Sequence, residues 1–206
     1  MRALLIASAC LAAVAVPVVA QQTMSVPGAK DPKRVTAGTY TVDSGHTQVE
    51  WRVNHLGFND YFGLFGSATG TLMLDPAKPA ASTVSIEIPI NKLATSHDGL
   101  TKHMMSPDFF DAEKFPTATF KSTSVTVHGE HAVVAGNLTI KGVTKPTTLD
   151  VQFSGAGKLP EQMGGKEGLG FHATTKIKRS DFNISYGIPL VPDEVPLTIS
   201  VAFMKQ

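Results

Sequence analysis

Two histidines stand where predicted strands begin or end, and histidine is the side chain that most often changes charge near neutral pH. His46 follows Asp43-Ser44-Gly45, and His55 precedes Leu56-Gly57-Phe58. At the mouth of a barrel, such a ring could donate a hydrogen bond to a ligand headgroup, or ligate a metal ion or haem. A histidine that hydrogen-bonds backbone at a strand end is the plainer alternative, and the sequence leaves both interpretations open.

Short motifs that mark a metal or catalytic site are missing from the sequence. The seven histidines include no His-x-His pair and no His-Glu-x-x-His, and the chain has no Gly-x-Ser-x-Gly and no glycine-rich phosphate loop. Asp43, Ser44 and His46 are close in sequence, but catalytic triads are assembled in space, so their adjacency does not indicate one. We therefore predict that the protein is not an enzyme and needs no cofactor.

Phenylalanines crowd two short stretches, residues 58–65 and 106–121, which also carry the glycines and prolines of turns. Rings at this density do not all fit on one buried face of a regular strand, so we expect some of them to line or cover a cavity. Ordinary core packing remains the alternative. The rings concerned are Phe58, Phe62 and Phe65 in the first stretch and Phe109, Phe110, Phe115 and Phe120 in the second.

The chain divides into three predicted parts. Residues 1–20 have the order of a secretory signal, because Arg2 precedes an apolar run that ends in Pro17-Val18-Val19-Ala20. That run is too short for a spanning helix, which needs about 20 apolar residues, so no stable membrane anchor is expected. Residues 21–38 are polar and without periodicity, which predicts a flexible leader. Residues 39–206 form the predicted folded domain.

Cysteine and charge content narrow the function further. Cys10 is the only cysteine and lies in the predicted signal, so the secreted chain would have no disulfide and no thiol chemistry. Without Arg2, 17 of the 18 basic residues remain against 17 acidic ones. A chain with no net charge and no basic run has no electrostatic footprint for nucleic acid. The absence of net charge is compatible with a homodimer but does not indicate one.

Alternating apolar and polar residues run through most of the domain. In residues 48–54, for example, Val49, Trp51 and Val53 alternate with polar residues, which predicts a strand with one buried face. About eight or nine such strands follow one another across short turns, with a glycine-rich stretch at 155–170 as the longest connection. This pattern predicts an all-β fold, an antiparallel barrel or sandwich, and an eight-stranded barrel is wide enough to hold one small ligand.

Four motifs, in order along the chain, resemble those of the YceI-like family. They are Val42-Asp43-Ser44-Gly45-His46-Thr47 with His55-Leu56-Gly57-Phe58 and Gly63-Leu64-Phe65; Ser106-Pro107-Asp108-Phe109-Phe110-Asp111 with Phe115-Pro116-Thr117-Ala118-Thr119-Phe120; Gly136 to Pro146; and Arg179-Ser180-Asp181-Phe182. Residues 100–105 and 107–112 are the stretches that look helical, and both are short, so one or two short helices are expected. The resemblance implies a lipocalin-like, eight-stranded antiparallel barrel. It also implies a secreted bacterial protein that binds polyisoprenoid or another long apolar chain inside the barrel.

We therefore predict a periplasmic protein that sequesters or carries a long apolar lipid, which could be polyisoprenoid, quinone-like or fatty-acid-like. His46 and His55 are the predicted headgroup contacts. Two rival hypotheses stay open: an enzyme or haem-handling protein that uses both histidines, and a stress-response interaction module whose barrel is filled by side chains. The predicted cavity wall consists of Trp51, Phe58, Phe62, Phe65, Phe109, Phe110, Phe115, Phe120, Phe171 and Phe182.

Overall fold

The computed structural model describes residues 25–206, so the predicted signal peptide lies outside the described residues. Eleven strand segments and one α-helix, α1, make up the fold of this part of the chain. Helix α1 spans Asp98–Met105. The strands are β1 Gly38–Val42, β2 Gln48–His55, β3 Asn59–Phe65, β4 Thr69–Leu74, β5 Thr83–Pro89, β6 Leu93–Thr95, β7 Thr117–His128, β8 His131–Ile140, β9 Val143–Lys158, β10 Glu167–Lys178 and β11 Glu194–Lys205.

Eight of these strands close an antiparallel ring in the order β1, β4, β5, β7, β8, β9, β10, β11, and β11 pairs back onto β1. Strands β2, β3 and β6 extend the wall at one end, where β2 pairs with the first half of β11 and β3 pairs with both β2 and β6. The prediction of an eight-stranded antiparallel barrel is confirmed. The eleven segments correspond to eight long strands, because three of these strands are each interrupted once. The interrupted strands are made of the pairs β1 and β2, β3 and β4, and β5 and β6.

The two ends of the barrel differ in how they are filled. At the end that holds β1, a buried cluster occupies the interior and closes it. The pairing of β11 with β1 closes the ring of strands. The tightly packed side chains of the cluster leave no room for a ligand at this end. We call this the closed end and the opposite one the mouth end. The closed-end cluster consists of Tyr40, Leu72, Phe153, Ala156, Leu169 and Phe203, with Phe171 packed against it.

The segment that follows α1 forms a compact corner of turns. A second short helix was expected over residues 107–112, but Asp111 adopts a left-handed φ of 50°, which ends any helical run. The backbone N–H of Asp111 donates to the carbonyl of Ser106, and that of Ala112 donates to the carbonyl of Met105. The corner therefore folds back on α1 and places its aromatic rings over the mouth end.

The described part of the predicted leader lies along β9. Ala29 forms a two-way backbone pair with Ala156, at 3.0 Å in each direction. The leader backbone packs directly on Gly155 and Gly157, where a side chain would collide with it. Half of the glycine-rich stretch predicted as a long turn is strand, and the connection shrinks to residues 159–166. Among residues 25–206, no helix has the length and apolar character needed to cross a membrane.

Candidate ligand-binding site

A cavity of about 540 Å³ lies inside the mouth end of the barrel. Strands β2, β3, β5, β7, β8, β10 and β11 contribute to its wall, together with α1, the corner after it and the loop 183–193. The volume falls within the range of about 300–1,000 Å³ typical of small-molecule sites. Most of the lining is aliphatic or aromatic, and the lining side chains that carry polar groups are Trp51, through its indole N–H, His55, Asn59, Tyr61, His103, Arg179 and Tyr186.

Five of the ten aromatic residues predicted for the wall line this cavity. Trp51 comes from β2 and Phe65 from the end of β3, while Phe182 lies in the turn after β10 and is almost fully buried. Phe109 and Phe110 come from the corner, and the ring of Phe110 meets that of Phe65 edge to face at 5.4 Å. The structure therefore brings together rings from residue 51 to residue 182, which no local pattern connects.

The other five predicted rings do not line the cavity, for three different reasons. Phe58 is 86% exposed at the tip of the β2–β3 hairpin, and Phe62 points outward from β3. Phe115 lies outside, packed on the turn at Gly142. Phe120 and Phe171 do point inward, but they belong to packed clusters of the core. These five are corrections to the predicted wall.

The two predicted headgroup histidines lie far apart. His55 is at the mouth end of β2 and lines the rim of the cavity. His46 precedes β2 at its other end, is 81% exposed and pairs with Asp43 at 2.8 Å. Strand β2 between them is about 23 Å long at 3.3 Å per residue, so the two rings cannot act on one small group. This separation is incompatible with a haem or catalytic site that uses both histidines.

Metal-ligating side chains are also dispersed in the described part of the chain. Within residues 25–206, no group of three or more His, Cys, Asp or Glu side chains is close enough to hold a metal ion.

An aromatic cluster at the rim was not predicted from the sequence. The ring of His103 on α1 stands edge-on to those of Phe109, at 5.1 Å, and Tyr186, at 4.9 Å. Its Nε2 also pairs with Asp108 at 2.9 Å. Lys141 Nζ, nearby in the β8–β9 turn, donates to carbonyls on both sides of the mouth, those of Pro107 and Asn183. These contacts join the corner to the loop 183–193.

Arg179 holds that loop in shape. The residue is only 7% exposed, and its guanidinium donates to four carbonyl oxygens at 2.7–3.3 Å, all from the loop. Burial lowers the pKa of Arg179, the Asp193 carboxylate opposes this, and an arginine stays charged in either case. Hydrogen bonds from the side chain and backbone of Ser180 lower the pKa of Asp193. The four carbonyls belong to Ile184, Tyr186, Val191 and Pro192.

Tyr61 and Trp51 form a stacked pair on the wall, with ring centroids 6.2 Å apart. The Tyr61 hydroxyl is bonded to Ser96 at 2.9 Å, and this hydrogen bond lowers the pKa of Tyr61. The indole of Trp51 lies over Gly63, its partner across the β2–β3 ladder, where a Cβ would be 2.1 Å from an indole carbon. The glycine therefore makes room for the aromatic wall.

Replacing Gly63 with alanine should displace the indole. Because a core forced to accept an extra methyl group loses about 1–3 kcal/mol, we expect a lower free energy of unfolding and a shifted emission of Trp51, the single tryptophan. Gly66→Ala is the matched control, since nothing lies within 4 Å of a Cβ there. Urea titration followed by tryptophan fluorescence measures both effects. Equal behaviour of the two variants would contradict this packing.

The fold and site together define a class: an antiparallel β-barrel that is packed at one end and encloses an apolar cavity at the other. Residues 40–203 match the YceI-like domain model. The chain is 41% identical over 172 residues to "Protein YceI" of Salmonella arizonae, a match that covers 82% of this chain and 88% of that protein. The chain therefore belongs to the YceI-like family, and the resemblance seen in its motifs is confirmed.

Solved structures with the same fold include two from other bacteria. The crystal structure of Burkholderia cenocepacia BcnA superposes with a TM-score of 0.69 at 26% identity, covering 78% of this chain and 98% of that one. A polyisoprenoid binding domain from Saccharophagus degradans gives a TM-score of 0.57 at 17% identity, covering 81% of this chain and 98% of that one. At that identity the second comparison shows a common fold and nothing more.

Proposed function

We propose that this protein binds a long apolar lipid, of polyisoprenoid or similar chain, inside the mouth end of its barrel and carries or sequesters it in the periplasm. The cavity is the observation on which the proposal depends, because its wall is built almost wholly from hydrocarbon and aromatic groups. Each methylene group moved from water into such a wall contributes about 0.8 kcal/mol. A chain of several isoprene units therefore gains useful affinity without many polar contacts.

The polar groups of the wall support an orientation for the lipid. His55 and Asn59 lie at the rim, on either side of the β2–β3 hairpin, and His103 lies across from them on α1. All three can offer hydrogen bonds to a headgroup, whereas the side chains packed around Trp51 are almost all apolar. With the headgroup at the rim and the tail inside, the charge or polar groups of the lipid are not buried in that apolar wall.

Two further observations support the proposal. The neighbour from Saccharophagus degradans is named as a polyisoprenoid binding domain, and its barrel has the same fold. The rival hypothesis of a barrel filled by its own side chains matches the closed end, where the rings pack against one another, but not the mouth end.

A series of prenols of increasing length tests this function. We expect the affinity for the purified protein to rise by about 0.8 kcal/mol for each added methylene-sized group and to level off once the cavity is full. Isothermal titration, with each prenol delivered from cyclodextrin, measures the dependence. Affinity that does not change with chain length would contradict a tail-binding cavity.

A further inference from the structure

Large apolar side chains surround the mouth on its outer surface. Leu56 and Phe58 form the tip of the β2–β3 hairpin, and Phe58 is 86% exposed. In the loop 183–193, which lines the same cavity, Tyr186 is half-exposed and Leu190 is 70% exposed. We call these four residues the mouth rim. Single exposed apolar residues are ordinary, but two tips that flank one apolar cavity form a feature that calls for a physical reason.

The hairpin tip is built against local preference. Leu56 and Gly57 both have positive φ, at 57° and 79°, which is the geometry of a two-residue turn that favours Asn-Gly. A branched, bulky residue rarely adopts the left-handed region, and here its side chain is also exposed to water. The turn carries an apolar side chain at a cost in backbone energy, and such outliers concentrate at functional sites.

The mouth rim is continuous with the cavity wall. Leu56 adjoins the lining residue His55, and Phe58 adjoins the lining residue Asn59. Leu190 likewise precedes a lining residue, Val191, while Tyr186 belongs to both surfaces. A hydrocarbon tail that enters or leaves the cavity must therefore pass over the rim, and whatever covers the rim is in contact with that tail.

The size and chemistry of the mouth rim favour a lipid bilayer over a protein partner. Four side chains on two protruding tips are far fewer than the roughly 20–30 residues per side of a stable protein interface. Phenylalanine and leucine are the residues that peripheral proteins insert into the boundary between headgroups and acyl chains, and tyrosine suits that boundary because one end of it is polar. The secreted chain has equal numbers of basic and acidic residues, so its net charge gives no electrostatic attraction to an anionic surface and contact depends on this insertion.

We infer that the mouth rim docks transiently on a membrane surface, so that a lipid tail moves between bilayer and cavity without crossing water. The inference rests on the proposed function, because it supplies the route by which that ligand arrives. The bilayer is the source of the lipid, and the hairpin tip and the loop 183–193 are the inserting elements. Docking depends weakly on salt, since it is driven by apolar insertion.

The experiment compares two double variants of the full-length secreted protein. Phe58→Ser with Leu190→Ser removes the most exposed side chains of the mouth rim, neither of which lines the cavity. Val26→Ser with Met163→Ser is the matched control, because these side chains are 84% and 65% exposed at the closed end. Three readouts are used: cosedimentation of the protein with phosphatidylethanolamine–phosphatidylglycerol vesicles, the transfer rate of a fluorescent prenol from these vesicles, and the affinity for the same prenol when it is delivered from cyclodextrin.

We expect the rim variant to bind vesicles about tenfold more weakly than wild type, because two inserted side chains are lost. Its rate of prenol uptake from the vesicles should fall by about the same factor. Its affinity for prenol from cyclodextrin should be unchanged, and the control variant should behave as wild type in all three assays. If the control loses as much as the rim variant, or if wild type does not bind vesicles, the docking inference is overturned while the lipid-binding function stands. If wild type takes up no prenol from cyclodextrin, the proposed function itself fails.

Leu56→Asn separates docking from folding. Asparagine tolerates the left-handed conformation better than leucine does, so we expect a higher free energy of unfolding together with weaker vesicle binding. A purely structural role for Leu56 would move both measurements in the same direction or leave vesicle binding intact, and that result would also overturn the inference.

Discussion

Replacing Arg179 with methionine is expected to lower the free energy of unfolding by about 3–5 kcal/mol, a change of the size seen when a buried charged group is removed from its partners. Methionine has a comparable length but no donor, so four carbonyl oxygens of the loop 183–193 lose their hydrogen bonds in a region shielded from water. Each buried acceptor left unsatisfied costs about 1–3 kcal/mol. The loop should open and remove one side of the cavity mouth.

Urea denaturation followed by fluorescence of Trp51 measures this effect. Arg52→Met is the control, because Arg52 is exposed and its nearest carboxylate, Asp60, is 3.6 Å away, an arrangement worth about 0–1 kcal/mol. Arg179→Lys should recover little, since one ammonium cannot reach acceptors that surround a planar guanidinium. If Arg179→Met were as stable as Arg52→Met, the loop would not depend on this cation.

Replacing Val53 with tryptophan should strongly reduce lipid binding while the barrel still folds. Val53 lines the cavity between Trp51 and His55 and is only partly buried, so a larger side chain can extend into the hollow without breaking the wall. A side chain that displaces about three methylene groups of the ligand removes roughly 2.4 kcal/mol, or more than tenfold in affinity. Titration with a prenol long enough to fill the wild-type cavity measures the loss.

Val127→Trp is the matched control for that variant. The substitution is the same, valine to tryptophan, but Val127 is an exposed residue of β7 near the closed end and does not line the cavity. Its affinity for the prenol should equal that of the wild type. Unaltered binding by Val53→Trp, with a folded protein by circular dichroism, would mean that the ligand does not occupy this hollow.

The barrel could be predicted from the sequence because its strands alternate with period two. The same period explains one error: in β3, the inward positions are Tyr61, Gly63 and Phe65, so Phe62 must face solvent. Parity counted from Trp51 excludes Phe62 only when the register across the β2–β3 hairpin is known, because one residue more or fewer in the turn exchanges the two faces. The position of Phe58 was harder to predict, because the tip of a hairpin has no inward face.

Depth along the barrel could not be predicted from alternation. Phe120 and Phe171 both point inward, as their spacing indicates, yet neither lines the cavity. Phe171 packs on the closed-end cluster, and Phe120 is buried in a cluster whose other members mostly do line the cavity. Which level of a barrel is packed and which is hollow depends on the register of strands distant in sequence, and a single sequence does not encode this in a readable pattern. The sequence predicted a barrel with a cavity, and the structure shows that the cavity occupies only the mouth end.

The loop 183–193 and the rim around His103 were missed for another reason. The loop has no period and forms its shape around Arg179, whose role follows from carbonyls brought together in space. A charged residue directly after an alternating strand, inside the motif Arg179-Ser180-Asp181-Phe182, was the available signal. Tyr186 gave no signal, because its contacts with His103 and Phe109 join segments about 80 residues apart in sequence.

Mass spectrometry of the lipid held by the protein is the most direct test of an apolar cavity that carries a ligand. The full sequence, with its predicted signal, would be expressed in bacteria so that the protein is exported to the periplasm, then purified without detergent and extracted with organic solvent. We predict a lipid with a long apolar chain at about one molecule per protein, and its loss from Val53→Trp prepared in parallel. A protein that yields no lipid and takes up none when incubated with prenol would contradict the proposed function, although the barrel would remain as described.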